Sequence, residues 1–174
     1  MNDTAIITGA SSGIGAATAE QFIAKGFSVI NIARRPSPVA GVVNVAADLG
    51  SDEGALRAAT ECKAHLAADG GRITLIHNAS LMLKDTANDC ETQALMRVMA
   101  VNVLAVNTLN RELIGSMKAG SSIIYVGSKQ SEKAVSGAYS YVISKHAQLG
   151  QMRATCQDLS GSGIHTAMVY QSRL

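Results

Sequence analysis

Tryptophan is absent from this chain of 174 residues, phenylalanine occurs twice and tyrosine four times. A core must therefore be built from Ala, Val, Ile, Leu and Met rather than from stacked rings. Cysteine is scarce as well. Cys62, Cys90 and Cys156 are odd in number and widely spaced, which excludes a disulfide framework and suits a reducing cytoplasm. No long apolar run is present: Ala5-Ile6-Ile7, after the polar Asn2-Asp3-Thr4, is too short for a secretion or membrane segment. The expectation is a soluble cytoplasmic protein with no membrane partner. The formal net charge is only +2 and the basic residues are scattered, so no nucleic-acid footprint is indicated. His77 has no second histidine at ligand spacing, and no metal site is expected.

What is present suffices for one folded domain over residues 1–174. Apolar residues make up 47% of the chain, which argues against disorder at this length. No repeat, low-complexity tract or linker divides it. Apolar runs of strand length alternate with stretches of helical period. Strands are expected at residues 5–8, 28–33, 42–45, 73–77, 122–126 and 164–169. Helices are expected at 14–25, 51–68, 92–117 and 139–159, the second closed by Asp69-Gly70-Gly71. This alternation predicts an α/β fold: a Rossmann-like, doubly wound parallel sheet in the order 3-2-1-4-5-6.

Between the first strand and first helix the chain reads Thr8-Gly9-Ala10-Ser11-Ser12-Gly13-Ile14-Gly15. A phosphate needs unpaired amides and a positive helix end, and a side chain at Gly13 or Gly15 would block its approach or push the helix off the sheet. A plain structural turn is the competing reading. The spacing of Gly9, Gly13 and Gly15 departs from G-x-G-x-x-G, and the stretch resembles the fingerprint of the short-chain dehydrogenase/reductase family instead. The end of the second strand decides the cofactor. An acidic residue there would bind a ribose 2′-hydroxyl, but this chain has Ala33-Arg34-Arg35. A guanidinium offers a forked, charge-assisted pair to a 2′-phosphate, which favours NADP over NAD, with Arg34 as first partner and Arg35 as second. Two solvated surface arginines are the alternative.

Tyr141 and Lys145 stand four apart on a predicted helix and so share a face. Carbonyl reduction needs a proton donor for the developing alkoxide, and a lysine cation beside a tyrosine favours the phenolate. The same lysine can hydrogen-bond the nicotinamide ribose. Ser128, thirteen positions before Tyr141, can stabilise charge on the substrate oxygen. With Asn102 upstream, the set resembles the family's tetrad. The resemblance implies that Asn102 holds a water in the relay to the lysine, that Asp48-Leu49 lies against the adenine, and that Asn78-Ala79 follows the fourth strand. Ser80 stands where the family has glycine. Asn107 and Asn110 share the helix with Asn102, and Tyr139 points to another face from Lys145.

The implied activity is reduction of a ketone or aldehyde to an alcohol with NADPH, on a small-molecule carbonyl or alcohol substrate. The helix around Asn102 is apolar nearly all round, from Leu95 to Val106, so the two long helices are expected to form a homodimer or homotetramer. A monomer with a covering loop remains open. The resemblance fails after the sixth strand, where Tyr170-Gln171-Ser172-Arg173-Leu174 leaves no room for a seventh. The sixth strand is then expected as an apolar edge. A shortened chain, a truncated gene product and a genuine short variant all fit. The alternative to an enzyme is a nucleotide-binding or interaction protein of the same fold without turnover.

Overall fold

The computed structural model describes residues 3–66 and 70–171. Six strands form one parallel sheet: β1 (Thr4–Thr8), β2 (Ser28–Ala33), β3 (Val42–Ala46), β4 (Ile73–His77), β5 (Ser122–Ser128) and β6 (His165–Gln171), in the order β3-β2-β1-β4-β5-β6. The expected order is present. β1 is buried along its whole length, because a parallel sheet is covered on both faces. Its residues alternate: Ile6 joins a core with Ala55, Ala58, Leu109 and Tyr125, whereas Ala5 and Ile7 join Ala19 and Val29 on the other face.

The helices are α1 (Gly13–Ala24), α2 (Asp52–Ala64), α3 (Thr92–Met99), α4 (Ala105–Leu113) and α5 (Tyr139–Asp158). Alanine-rich faces let α1 and α2 sit close to the sheet. α2 begins under a Ser51 cap, whose Oγ accepts from Gly54 N at 3.0 Å, with Asp52 and Glu53 facing the positive helix end. It ends at Ala64, four residues short of the expected end at 68, as His65 N turns back to the Cys62 carbonyl. The rest of that expectation, with Asp69, falls on residues 67–69, outside the described residues.

The single helix expected over 92–117 is a larger departure. Between α3 and α4 lies a π-helical segment, Ala100–Leu104, and after α4 a 3₁₀ turn, Ile114–Ser116, ends the run. Ala105 N reaches the Ala100 carbonyl, five residues back, so the turn is wider than an α-turn. An apolar pattern does not reveal such a turn, because the segment stays apolar on either geometry. Asn102 sits at its centre.

At the other end of the sheet, β5 and β6 each run two residues further than expected and pair up to Ser128 with Gln171. Among the described residues nothing pairs with the far edge of β6, where Val169 and Tyr170 are exposed. No helix among these residues is long and apolar enough to cross a membrane.

Candidate active site

The β1–α1 turn is stapled to the end of β4. Thr8 Oγ1 accepts from the amides of Asn78 and Ala79, both at 2.9 Å. Asn78 Nδ2 donates in return to the carbonyls of Thr8 (2.9 Å) and Gly9 (3.1 Å). This explains two of the glycines. A Cβ on Gly15 would lie 2.3 Å from the Gly9 oxygen, and one on Gly9 would press on Ala79 and Asn78. Gly13 differs: it has φ +55 and nothing within 4 Å of the Cβ position. Gly15 thus packs the turn, while Gly13 keeps a conformation and an open approach.

Beside the turn lies a cleft of about 370 Å³ at the C-terminal ends of the strands. Ser11, Ser12 and Ile14 line one wall. Ser12 caps α1 in extended conformation without bonding the helix through its hydroxyl, and no acidic residue neutralises the first turn. Arg34 and Arg35 line the end beyond β2, both exposed and neither in an ion pair among the described residues. Asp48 and Leu49 form the side beyond β3; Asn78, Ala79 and Ser80 form the side beyond β4. The cleft gathers ten of the twelve residues expected on its adenosine and phosphate side; Gly13 and Gly15 are the two that do not line it.

Asn31 in β2 was not anticipated. It is fully buried, with Oδ1 accepting from Ala10 N at 2.8 Å and Nδ2 donating to Asn44 Oδ1 (3.0 Å) and the Arg35 carbonyl (3.3 Å). It ties the glycine turn to the arginine loop. An asparagine inside an otherwise apolar strand was the available signal, since a buried amide needs partners.

Tyr141 and Lys145 lie on α5, facing the end of β5. Lys145 is only 2% exposed, and its Nζ is 5.5 Å from the centre of the Tyr141 ring. The ammonium donates to the Val126 carbonyl and to Gln148 Oε1, both at 3.0 Å. Burial pulls it down to about 8. Ser128 stands two residues past Val126, where its hydroxyl and amide cap the 3₁₀ turn Lys129–Ser131, and its Oγ bonds Gln130 Oε1. Tyr141, Lys145 and the end of β5 are brought together; Ser128 makes no direct hydrogen bond with either side chain.

Asn102 joins the same cluster, though its side chain is committed. Oδ1 accepts from Leu81 N at 2.7 Å, and Nδ2 donates to the Leu81 carbonyl and to Ser144 Oγ, both at 2.9 Å. Ser144 Oγ donates to the Tyr141 carbonyl. The amide therefore clamps the loop after β4 onto α5. What faces Lys145 is the Asn102 main-chain carbonyl, through Gln148 Nε2 at 3.2 Å. Of the other asparagines on that run, Asn107 is exposed, and Asn110 bonds His77 Nε2 at 2.8 Å in the core.

The N-terminus of α5 is held from a distance. Ala138 offers it no side chain, and Asp85 takes that place, accepting from Ser140 N at 3.0 Å through Oδ1 and from Tyr139 N through its carbonyl. Burial pushes Asp85 upward, but the Ser140 hydrogen bonds outweigh it and hold the carboxyl below its usual range. Tyr139 lines a small hollow with Thr86, Val135 and Val142.

Comparison with known proteins agrees with this fold. The family described as short chain dehydrogenase matches residues 3–172. The chain is 34% identical over 173 residues to the short chain dehydrogenase ausX of Penicillium brasilianum, covering 94% of this chain and 66% of that protein. It thus spans about two thirds of that relative. Among solved structures, a short chain dehydrogenase/reductase family oxidoreductase from Brucella ovis, in complex with a partially ordered NAD, superposes with a TM-score of 0.88 at 26% identity. That match covers 98% of this chain and 83% of the other. A blue fluorescent protein from a metagenomic library, in complex with NADPH, superposes with a TM-score of 0.85 at 25% identity, covering 97% and 73%.

Proposed function

The chain belongs to the short-chain dehydrogenase family, and on that premise we propose that it is an NADP(H)-dependent oxidoreductase interconverting a ketone or aldehyde with the alcohol. The observation that carries the reading is a buried lysine, Lys145, set against the Tyr141 ring, in a fold whose cleft is lined by the glycine-rich turn, Arg34 and Arg35.

The cleft fits the cofactor. Gly13 with the start of α1 receives the phosphates, Asp48 and Leu49 flank the adenine, and Asn78 and Ala79 support the middle of the molecule. Solved relatives hold NAD or NADPH, so the preference rests on Arg34 and Arg35, two cations at the 2′ end with no ion pair among the described residues. A reduced nicotinamide, when bound, supplies the hydride.

Tyr141 delivers the proton to the carbonyl oxygen, and Lys145 favours the resulting phenolate. With two ammonium protons on Val126 and Gln148, Lys145 keeps the third for a ribose hydroxyl. Ser128, turning its hydroxyl from Gln130, stabilises charge on the substrate oxygen. Asn102 acts through its main-chain carbonyl. Assembly is proposed as a homodimer or homotetramer through the long helices, where Met96 and Leu104 are 64% and 57% exposed.

The test is NADPH oxidation over a panel of ketones and aldehydes, with Tyr141→Phe beside the parent. Loss of about a hundredfold or more in the variant is expected; equal turnover sinks the mechanism. Arg34→Ala should weaken NADPH about tenfold and leave NADH unchanged, and equal effects on both would remove the NADP preference. A second reading is dinucleotide binding without turnover. NADPH binding with no oxidation by any carbonyl would select it.

A further inference from the structure

We infer that Gln148 is a positioning residue: it holds the Lys145 ammonium in register with Tyr141 by tying it to the main-chain carbonyl of Asn102. This rests on the reading of Lys145 as the partner of Tyr141 and adds a member to that site. Gln148 lies three residues past Lys145 on α5, hence on the same helix face, and is 0% exposed. Its Oε1 accepts from Lys145 Nζ at 3.0 Å, and its Nε2 donates to the Asn102 oxygen at 3.2 Å.

Both partners dictate the orientation of the amide. An ammonium only donates and a carbonyl only accepts, so one end of Gln148 must face each. No other uncharged side chain of that length meets both demands. Leucine or methionine would fill the space and satisfy neither partner. Glutamate would satisfy Lys145 alone.

The need for the link follows from the burial of Lys145. A charge out of water is costly unless hydrogen-bonded, and among the described residues Lys145 has no carboxylate within ion-pair distance. Two neutral acceptors, Val126 O and Gln148 Oε1, hold it. The elements packed on α5 carry Tyr125 on β5, Arg97 on α3, Lys129 in the 3₁₀ turn, and His165 and Tyr170 on β6. None of them reaches Lys145 by a hydrogen bond or ion pair, and Tyr141 is the titratable group that faces it. Burial is the cause of its depressed titration. The far anchor is equally placed: Asn102 lies within the π-helical segment, whose wide turn is a frequent mark of functional sites.

The test reads Lys145 directly, by NMR titration of the chain labelled with ¹³Cε-lysine, the resonance assigned by its loss in Lys145→Arg. Gln148→Leu should move the Lys145 midpoint down by about one pH unit, as the charged form loses an acceptor. Gln148→Glu should move it up by at least as much, since a carboxylate then faces the ammonium. Midpoints equal to the parent's in both variants overturn the inference. If the leucine variant fails to fold, the glutamate variant decides alone: an upward shift supports the link and an unmoved midpoint overturns it. Where carbonyl reduction is present, the alkaline limb of kcat/KM should move with the midpoint in each variant. A limb that stays while the midpoint moves overturns the link to Tyr141. The titration needs no turnover, so the midpoints still test Gln148 in a chain that reduces nothing.

Discussion

Gly13 and Gly15, two residues apart in one turn, are glycines for different reasons, and mutation should separate them. Alanine at Gly15 places a Cβ 2.3 Å from the Gly9 carbonyl, an overlap with backbone that only a shift of α1 can relieve. Overpacking of this kind costs about 1–3 kcal/mol, so thermal unfolding should fall by roughly 3–10 °C at this chain length. Alanine at Gly13 meets no atom, and its φ of +55 adds about 1 kcal/mol of strain. Its larger effect should be on NADPH affinity, lowered about tenfold in a calorimetric titration because the methyl enters the phosphate approach. Equal losses of stability and affinity in the two variants would contradict this division. The turn, Tyr141 and Lys145 were readable in the sequence because each is a local spacing. The links from Asn31 to Ala10 and from Gln148 to Asn102 were not, since they span 21 and 46 residues and only the folded sheet brings their ends near.

At the scale of elements, strands, α1 and α5 followed from periodicity to within two residues. The π-helical segment did not, because its value lies in where it sends Asn102 and not in which residues it contains. A second feature hidden from periodicity is the polar chain inside the core. His77 of β4 bonds Asn110 of α4, Asn110 donates to Tyr125 of β5, and Tyr125 meets Thr155 of α5 at 3.1 Å. Asn110 Nδ2 faces the tyrosine, so His77 Nε2 carries the proton and Nδ1 is left without a partner. Burial pulls the imidazole down to about 4 from 6.5, opposed in part by the Asn110 bond. The folded state then binds fewer protons than the unfolded chain between these values, so stability is full above pH 6.5 and declines as pH falls toward 4. The loss attributable to His77 should reach about 3 kcal/mol. Denaturant unfolding of the parent and His77→Gln across this range should show the difference; parallel curves would contradict it.

For the molecule as a whole, the sheet order was readable from the alternation of elements, because right-handed crossovers leave few ways to wind such a chain. The packing of its long helical run was only partly readable. The run from Leu95 to Val106 is apolar nearly all round, yet in one chain a single side packs: Val98, Ala105 and Val106 are buried, whereas Met96 and Leu104 face outward. If a second copy covers them, Leu104→Glu should convert a dimer to a monomer by light scattering, and a monomeric parent would contradict the assembly. The chemistry proposed for the molecule is hydride transfer to a carbonyl at a site completed by Tyr141 and Lys145. It is tested most directly by incubating the chain with NADPH deuterated at C4 and a carbonyl panel, then measuring deuterium in the alcohol by mass spectrometry. Deuterated alcohol from the parent and at least about a hundredfold less from Tyr141→Phe is the predicted result; equal deuterium from both proteins would contradict it.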